Sequence, residues 1–508
     1  MSLPSFLGKG CHPLYRIMKS NQLINHVASA YTWTAVANLF RYCTGFAISI
    51  VLARLLPPSA YGLIGMVIVF IAFAEVLQDI GLSEAIIYFR QDTHFGKFFT
   101  ISGTAGILLA LTCWAAAPLV SRFYHEPQLT VLVRVLSLTL PLISIKSVSV
   151  AVLSRELRFR EIAIVESATS LGCGLVAIAL AWMGLGVWSL VWNLILLAIT
   201  QTLVFARYVR PRFMWHTGGT GLTNLLRWGM PLTGATLLWQ FYSNADYIVV
   251  GRMMGIEALG WYSFAFRLAT LVNDKISAVI NRVSLPSLSS MREDRVQLIE
   301  HWFSVSRKLA LVNFPLLMAL AANSNELILV TVGPKWLPAA LPLRFLCVTG
   351  ALKTVLPIIP NVLSACGRTV TVFRYNLLSA IVLPLSFAVG CHYGGLLGVG
   401  LAWCVIQPIL SILLIIPAVR LVNVSLRSYL MNLKAPALVA GLCLLAMLPF
   451  GFLPVGVLSR LILRSFAGLA CYIVCLWQLE KARTAATMLR ALVISLRAGA
   501  APAGSSGR

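Results

Sequence analysis

Apolar stretches of about 18 to 25 residues recur from one end of this chain to the other, and each is long enough to cross roughly 30 Å of hydrocarbon as a helix. Fourteen such segments are read: 31–54, 60–79, 98–119, 129–152, 163–183, 186–207, 224–251, 258–285, 306–325, 338–364, 373–391, 395–419, 435–453 and 457–478. Inside a bilayer no water satisfies backbone N–H and C=O groups, so segments of this kind must be helical. The expected fold is all-α, a polytopic membrane protein of about 14 transmembrane helices. Charged residues make up 11% of the 508, against about 25% in an ordinary soluble domain, so the chain cannot cover a water-exposed surface. That excludes a soluble enzyme. The loops are too short to house a catalytic domain, and no soluble basic module exists to bind nucleic acid.

The remaining charges are lopsided, with 40 Lys and Arg against 16 Asp and Glu. Alternate loops and the two termini hold 23 basic residues on one side, among them Arg155, Arg158, Arg160, Arg207, Arg210 and Arg212. The other side holds Arg54, Arg122, Arg252, Lys335 and Arg460. The bias of basic residues to cytoplasmic loops therefore places both termini in the cytoplasm, and an even number of segments agrees. The opening MSLPSFLGKGCHPLYRIMKSNQ has neither an apolar core nor a small-residue cleavage site, so residues 1–28 read as a basic cytoplasmic lead-in. Residues 481–508 read as a cytoplasmic tail with an interfacial helix around 484–497. Eleven scattered Cys, with no C-x-x-C and no His at zinc spacing, read as small apolar fillers, and no metal is expected.

The chain resembles itself at an offset of 198: VLARLLPPSAYG (Val51 to Gly62) aligns without gaps to VVGRMMGIEALG (Val249 to Gly260). Six segments per copy give odd and even helices the same orientation in both halves, so the repeats are parallel and related by an axis along the membrane normal. Two six-helix lobes, 29–220 and 221–430, are expected to face a central cavity, with two further helices at 431–480 outside the repeat.

Twelve basic residues fall inside or at the ends of the segments. Arg227, Arg282, Arg307, Lys308 and Arg344 lie near enough to an end to snorkel to the headgroups. Arg41, Arg267, Lys275 and Lys353 fall nearer mid-span, where a cation costs about 2.5 to 3.5 kcal/mol unless it meets water or a partner. Either they line a hydrated interior, or they pair with Glu75, Asp79, Glu166, Asp246 or Asp274 and hold the lobes together. Arg134 and Lys146, in the fourth segment, take no assigned role. Glu75 and Asp79 share a helix face at i, i+4 spacing, while QDIGLSEA reads as a helix ending near Gly81 and restarting with Ser83 as N-cap. Pro141, Pro231, Pro357, Pro360, Pro384 and Pro408 interrupt segments and act as kinks or hinges.

The stretches VLARLLPPSAYGLIGMVIVF, LQDIGLSEAII and NADYIVVGRMMGIEALGWYSFAFRL resemble the Wzx-type polysaccharide repeat-unit flippases, of the polysaccharide transporter family in the multidrug and oligosaccharidyl-lipid superfamily. The exopolysaccharide branch serving colanic acid, succinoglycan or xanthan type polymers is the most similar in character. The resemblance spans the first twelve segments. It implies a fold like the lipid II flippase, a bacterial inner-membrane location, and transfer of undecaprenyl-pyrophosphate-linked oligosaccharide between leaflets. It also implies a polysaccharide polymerase and export machinery as partners. Related flippases grip phosphate with basic residues on the first helix and in the second lobe, which here are Arg41 and Arg267, with Lys275 and Lys353 as further candidates.

A pyrophosphate head group needs a wet path with cationic partners, as Arg and Lys provide. No cofactor is expected. Coupling to H⁺, to Na⁺ or to the membrane potential is expected to drive the step, with Glu75, Asp79, Asp246 and Asp274 as candidate ion carriers. Two other readings compete. A cation-coupled multidrug exporter of the same fold would prefer a predominantly acidic cavity. A membrane glycosyltransferase, polymerase or ligase acting on the same lipid would need a sizeable outer loop carrying catalytic groups. A peptidoglycan-precursor flippase is a close neighbour of the favoured reading.

Overall fold

The computed structural model describes residues 41–79, 81–82, 86, 95–211, 221–290, 294–356, 358–366 and 368–499. Within these, the side chains of 221–229, 231–232, 271–290 and 480–499 lie outside the description, as do those of Phe95, Arg295 and Ala365. All regular structure among the described residues is helical. Helix α1 covers 41–55. It is followed by α2 (Pro58–Asp79), α3 (Phe95–Tyr124), α4 (Gln128–Ser137), α5 (Leu140–Arg155), α6 (Phe159–Trp182) and α7 (Val187–Val209). Then come α8 (Gly221–Ser290), α9 (Arg295–Ala322), α10 (Ser324–Thr331), α11 (Ala340–Lys353), α12 (Ile358–Ala365), α13 (Thr369–Leu421), α14 (Leu426–Met447) and α15 (Val457–Gly499). Ten helical stretches among the described residues are long and apolar enough to cross a membrane. The chain is an integral membrane protein.

Two long helices break where the sequence places a loop between segments. Helix α8 leaves helical geometry at Gly255 (φ 85°, ψ −175°) and α13 at Gly395 (φ 54°, ψ −136°). Both backbones lie in a region open essentially to glycine alone, which lets one apolar arm end and the next begin within a residue or two. The prolines behave differently from one another. Pro141 sits in the first turn of α5, just after the break at Leu138 and Thr139, where its missing N–H costs nothing. At Pro384 and Pro408, in contrast, α13 continues helical. Two helix starts are capped by side chains. Asp294 accepts from the backbone N–H groups of Val296 and Gln297 at 3.0 and 3.1 Å, and Ser425 accepts from Ser428 N at 3.1 Å. The stretch 484–497, read from sequence as helical, is part of helix α15, which continues from the last apolar segment to Gly499, with no Pro or Gly between Gly468 and Gly499 to stop it.

Backbone contacts divide the chain into two compact units, Met1–Gly260 and Trp261–Arg508. In the first, α2 is the central element, with Met66 and Val67 fully buried. The two copies of the repeat motif meet within this unit. A Cβ at Gly62 would fall 1.7 Å from the carbonyl oxygen of Ile256, and one at Gly260 would fall 1.9 Å from that of Pro58. Gly62 and Gly260 are 198 apart, as are Pro58 and Ile256, so the motif copies exchange the same contact reciprocally. Lipid gives helices no hydrophobic reason to associate, and close backbone approach at small residues supplies the packing instead. In the second unit α9 lies against α14, α11 against α13, and α15 against α14. The outer face of α15, with Phe466, Ile473 and Trp477, is exposed, as suits a helix solvated by acyl chains.

Candidate functional site

The polar interior of the first unit is built on α2. Glu75, Gln78 and Asp79 fall at i, i+3 and i+4 near its end, so one helical face carries two carboxylates and an amide. The helix ends at Asp79, and Gly81 adopts φ 71°, the left-handed stop that QDIGLSEA predicts. Ser83 and Glu84 lie outside the described residues. A cavity of about 390 Å³ opens against this face, lined also by Lys146, Ser147 and Ser154 of α5 and Glu166 of α6. That volume lies within the range of ligand sites. A second cavity, of about 240 Å³, shares Glu75 and Asp79 and is walled by Thr233, Thr236 and Gln240 from the first arm of α8.

One ion pair and a chain of hydrogen bonds connect the charges inside. Arg41 of α1 donates through Nη1 to Glu166 Oε2 in an ion pair, and its Nη2 lies 3.2 Å from the Tyr42 hydroxyl. Lys146 Nζ donates to Gln201 Oε1 at 3.4 Å, and Gln201 Nε2 donates in turn to Thr169 Oγ1 at 3.2 Å. Lys146 and Glu75 line the same cavity. Buried Gln78 accepts from Ser144 Oγ at 3.0 Å, which fixes the amide between α2 and α5. The chamber thus carries both signs. Glu75, Asp79 and Glu166 stand with Lys146 on its wall, and Arg41 is attached through Glu166.

Of the residues singled out from sequence, Arg41, Glu75 and Asp79 come together here. Asp246 is fully buried on the first arm of α8, its Oδ1 accepting from Tyr247 N at 2.9 Å. Two more candidates belong to the second unit. Arg267 is exposed on the second arm of α8. Lys353 ends α11 with Nζ 3.2 Å from the centre of the Trp403 ring, and Trp403 Nε1 donates to the Tyr262 hydroxyl at 3.1 Å. Lys353 is therefore held by an aromatic face, which attracts a cation without neutralising it. The side chains of Asp274 and Lys275 lie outside the described residues. Sequence reasoning left out Lys146 and placed Glu166 only among pairing partners. Lys146 interrupts the apolar run LPLISIKSVSVAVL as sharply as Arg41 interrupts its own, and that was the available signal.

A sequence profile of polysaccharide biosynthesis proteins matches residues 51–341, more than half of the chain. The chain belongs to this polysaccharide biosynthesis family. Among its relatives is the lipopolysaccharide biosynthesis protein WzxC of Escherichia coli (strain K12), 25% identical over 414 residues, which cover 80% of this chain and 84% of that protein. The fold of this family member is that of two groups of solved structures. The lipid II flippase MurJ in an inward closed conformation superposes with a TM-score of 0.71 at 14% identity, covering 89% of this chain and 99% of MurJ. An inward-facing multidrug resistance MATE family transporter gives 0.62 at 15% identity, covering 75% and 94%. At such identity the likeness concerns the fold alone, and it makes this family member a MurJ- and MATE-like helical membrane protein.

Proposed function

We propose that this chain is a flippase that moves undecaprenyl-pyrophosphate-linked oligosaccharide repeat units from the inner to the outer leaflet of a bacterial cytoplasmic membrane. The observation that carries the reading is membership of the polysaccharide biosynthesis family in a chain with the fold of a lipid II flippase. On this reading no covalent bond is made or broken. The lobes 29–220 and 221–430 alternate access to the two leaflets, and both termini lie in the cytoplasm. Arg41 and Arg267 grip the diphosphate, with Lys353 and Lys275 assisting, because multiply charged phosphate is best met by charge-assisted donors. Glu75 and Asp79, with Asp246 and Asp274 as further candidates, carry H⁺ or Na⁺ to drive the cycle. Polymerase and export components take over the product.

Arg41→Ala and Arg267→Ala each lower polymer export at least about 10-fold, the worth of one charge-assisted contact, while the protein still inserts. Export of extracellular polysaccharide from a strain carrying each variant as its sole copy measures this. Normal export in both variants would remove the site assignment. A second reading, a cation-coupled multidrug exporter, is favoured by one feature: Glu75, Asp79 and Glu166 outnumber the cations beside them. It predicts resistance to cationic drugs that depends on Glu75, with polysaccharide unaffected.

A further inference from the structure

We infer that Glu166 is a positioning residue for the diphosphate: it holds Arg41 and yields it to the phosphate groups of the lipid head. This rests on the flippase reading above and assigns a role to a residue that reading does not use. Three features of the site carry it. Glu166 is at once the partner of Arg41 and part of the wall of the 390 Å³ cavity, so the guanidinium is held at the edge of the space a head group would enter. The pair is not sealed: the side chains are 25% and 28% exposed, so an incoming group can reach both partners. The helices that present it also meet away from it. A Cβ at Gly174 of α6 would lie 2.3 Å from Ile48 Cδ1 of α1, about two turns along both helices from Glu166 and Arg41. Partner exchange is therefore a matter of side chains and does not require α1 and α6 to part.

The direction of exchange follows from the chemistry of the competing anions. A carboxylate brings one charge and two oxygens to the guanidinium. A diphosphate monoester brings more charge and can engage both N–H edges of the fork at once, so it displaces the carboxylate where an uncharged lipid head cannot. The displaced Glu166 is not stranded. Lys146 lines the same cavity and is engaged by a 3.4 Å contact to Gln201, a long bond that a carboxylate readily replaces. Each charge keeps a counter-charge through the exchange, which avoids the cost of a lone ion in a low-dielectric interior. Glu166 then acts as a threshold: only a head group that outcompetes a carboxylate gains Arg41.

The test uses the full chain in lipid nanodiscs and three probes with the same tail: undecaprenyl pyrophosphate, undecaprenyl phosphate and undecaprenol. Wild type binds the pyrophosphate most tightly and the alcohol least. Arg41→Ala removes that preference; if the preference survives, the flippase site assignment fails and this inference fails with it. Glu166→Gln tightens pyrophosphate binding about 3- to 5-fold, the worth of a weak ion pair, and leaves undecaprenol unchanged. If Arg41→Ala loses the preference but Glu166→Gln weakens pyrophosphate binding or leaves it as in wild type, Glu166 is a structural clamp and only the present inference is overturned.

Discussion

Arg464→Ala or Glu326→Ala is expected to destabilise the folded protein by about 3 to 5 kcal/mol, because each leaves a buried charge without its partner. Arg464 of α15 donates from Nη1 to Glu326 Oε1 of α10 at 2.8 Å, with both side chains only 10% exposed. It is more deeply buried than the Arg41–Glu166 pair, whose side chains are 25% and 28% exposed. Helix α10 is only eight residues long and is also tied to α11, where Arg344 Nε donates to Ser324 Oγ at 2.8 Å. Since most of the outer face of α15 is left to lipid, the ion pair fixes this helix against the second unit at one point. Replacing both partners by Leu removes the two charges together and should recover most of the loss. Unfolding free energies in mixed micelles decide the matter: single variants within about 1 kcal/mol of wild type would show that the pair is a surface-like contact.

Gly260→Leu is expected to have the next largest effect, at or beyond the upper end of the roughly 1 to 3 kcal/mol typical of overpacking. The obstacle is the carbonyl oxygen of Pro58, 1.9 Å from where a Cβ would stand, and a backbone carbonyl cannot rotate away as a side chain can. Gly62→Leu meets Ile256 O in the mirrored contact, and the two substitutions together should cost less than their sum because both open the same crossing. Gly172→Ala supplies the contrast. That position on α6 has nothing within 4 Å of a new Cβ, so the substitution should stabilise by about 0.5 to 1 kcal/mol through helix propensity alone. Thermal unfolding of the purified variants in detergent orders them, and Gly260→Leu behaving like Gly172→Ala would refute the crossing.

Much of the fold was legible because lipid leaves the backbone few choices. The apolar segments mark helices: the short gap at 252–257 contains the break at Gly255, and the gap at 392–394 ends one residue before the break at Gly395. The repeat was legible as well: an alignment of twelve residues predicts related surroundings for Gly62 and Gly260, and the backbone contacts are reciprocal. The site was legible only by halves. Arg41 stands out as a cation in an apolar segment, but its partner lies 125 residues away on α6, and no local pattern links the two. Lys353 reads as a mid-span charge, and its contact with the Trp403 ring leaves no trace in charge counting. The continuity of the last helix through the tail was not legible for a related reason. Basic residues after Lys481 mark the water interface, but charge alone does not end a helix that lacks Pro or Gly.

Passage of the lipid between leaflets tests the central proposal most directly. Purified chain is reconstituted into vesicles with a fluorescent undecaprenyl-pyrophosphate oligosaccharide in both leaflets, and a membrane-impermeant reductant is added outside. Wild type should carry the inner-leaflet lipid outward until the signal is extinguished, whereas Arg41→Ala should leave the inner share protected. A protected share equal in vesicles with and without the wild-type chain, under an imposed proton or sodium gradient, would contradict the assignment of this protein as a flippase.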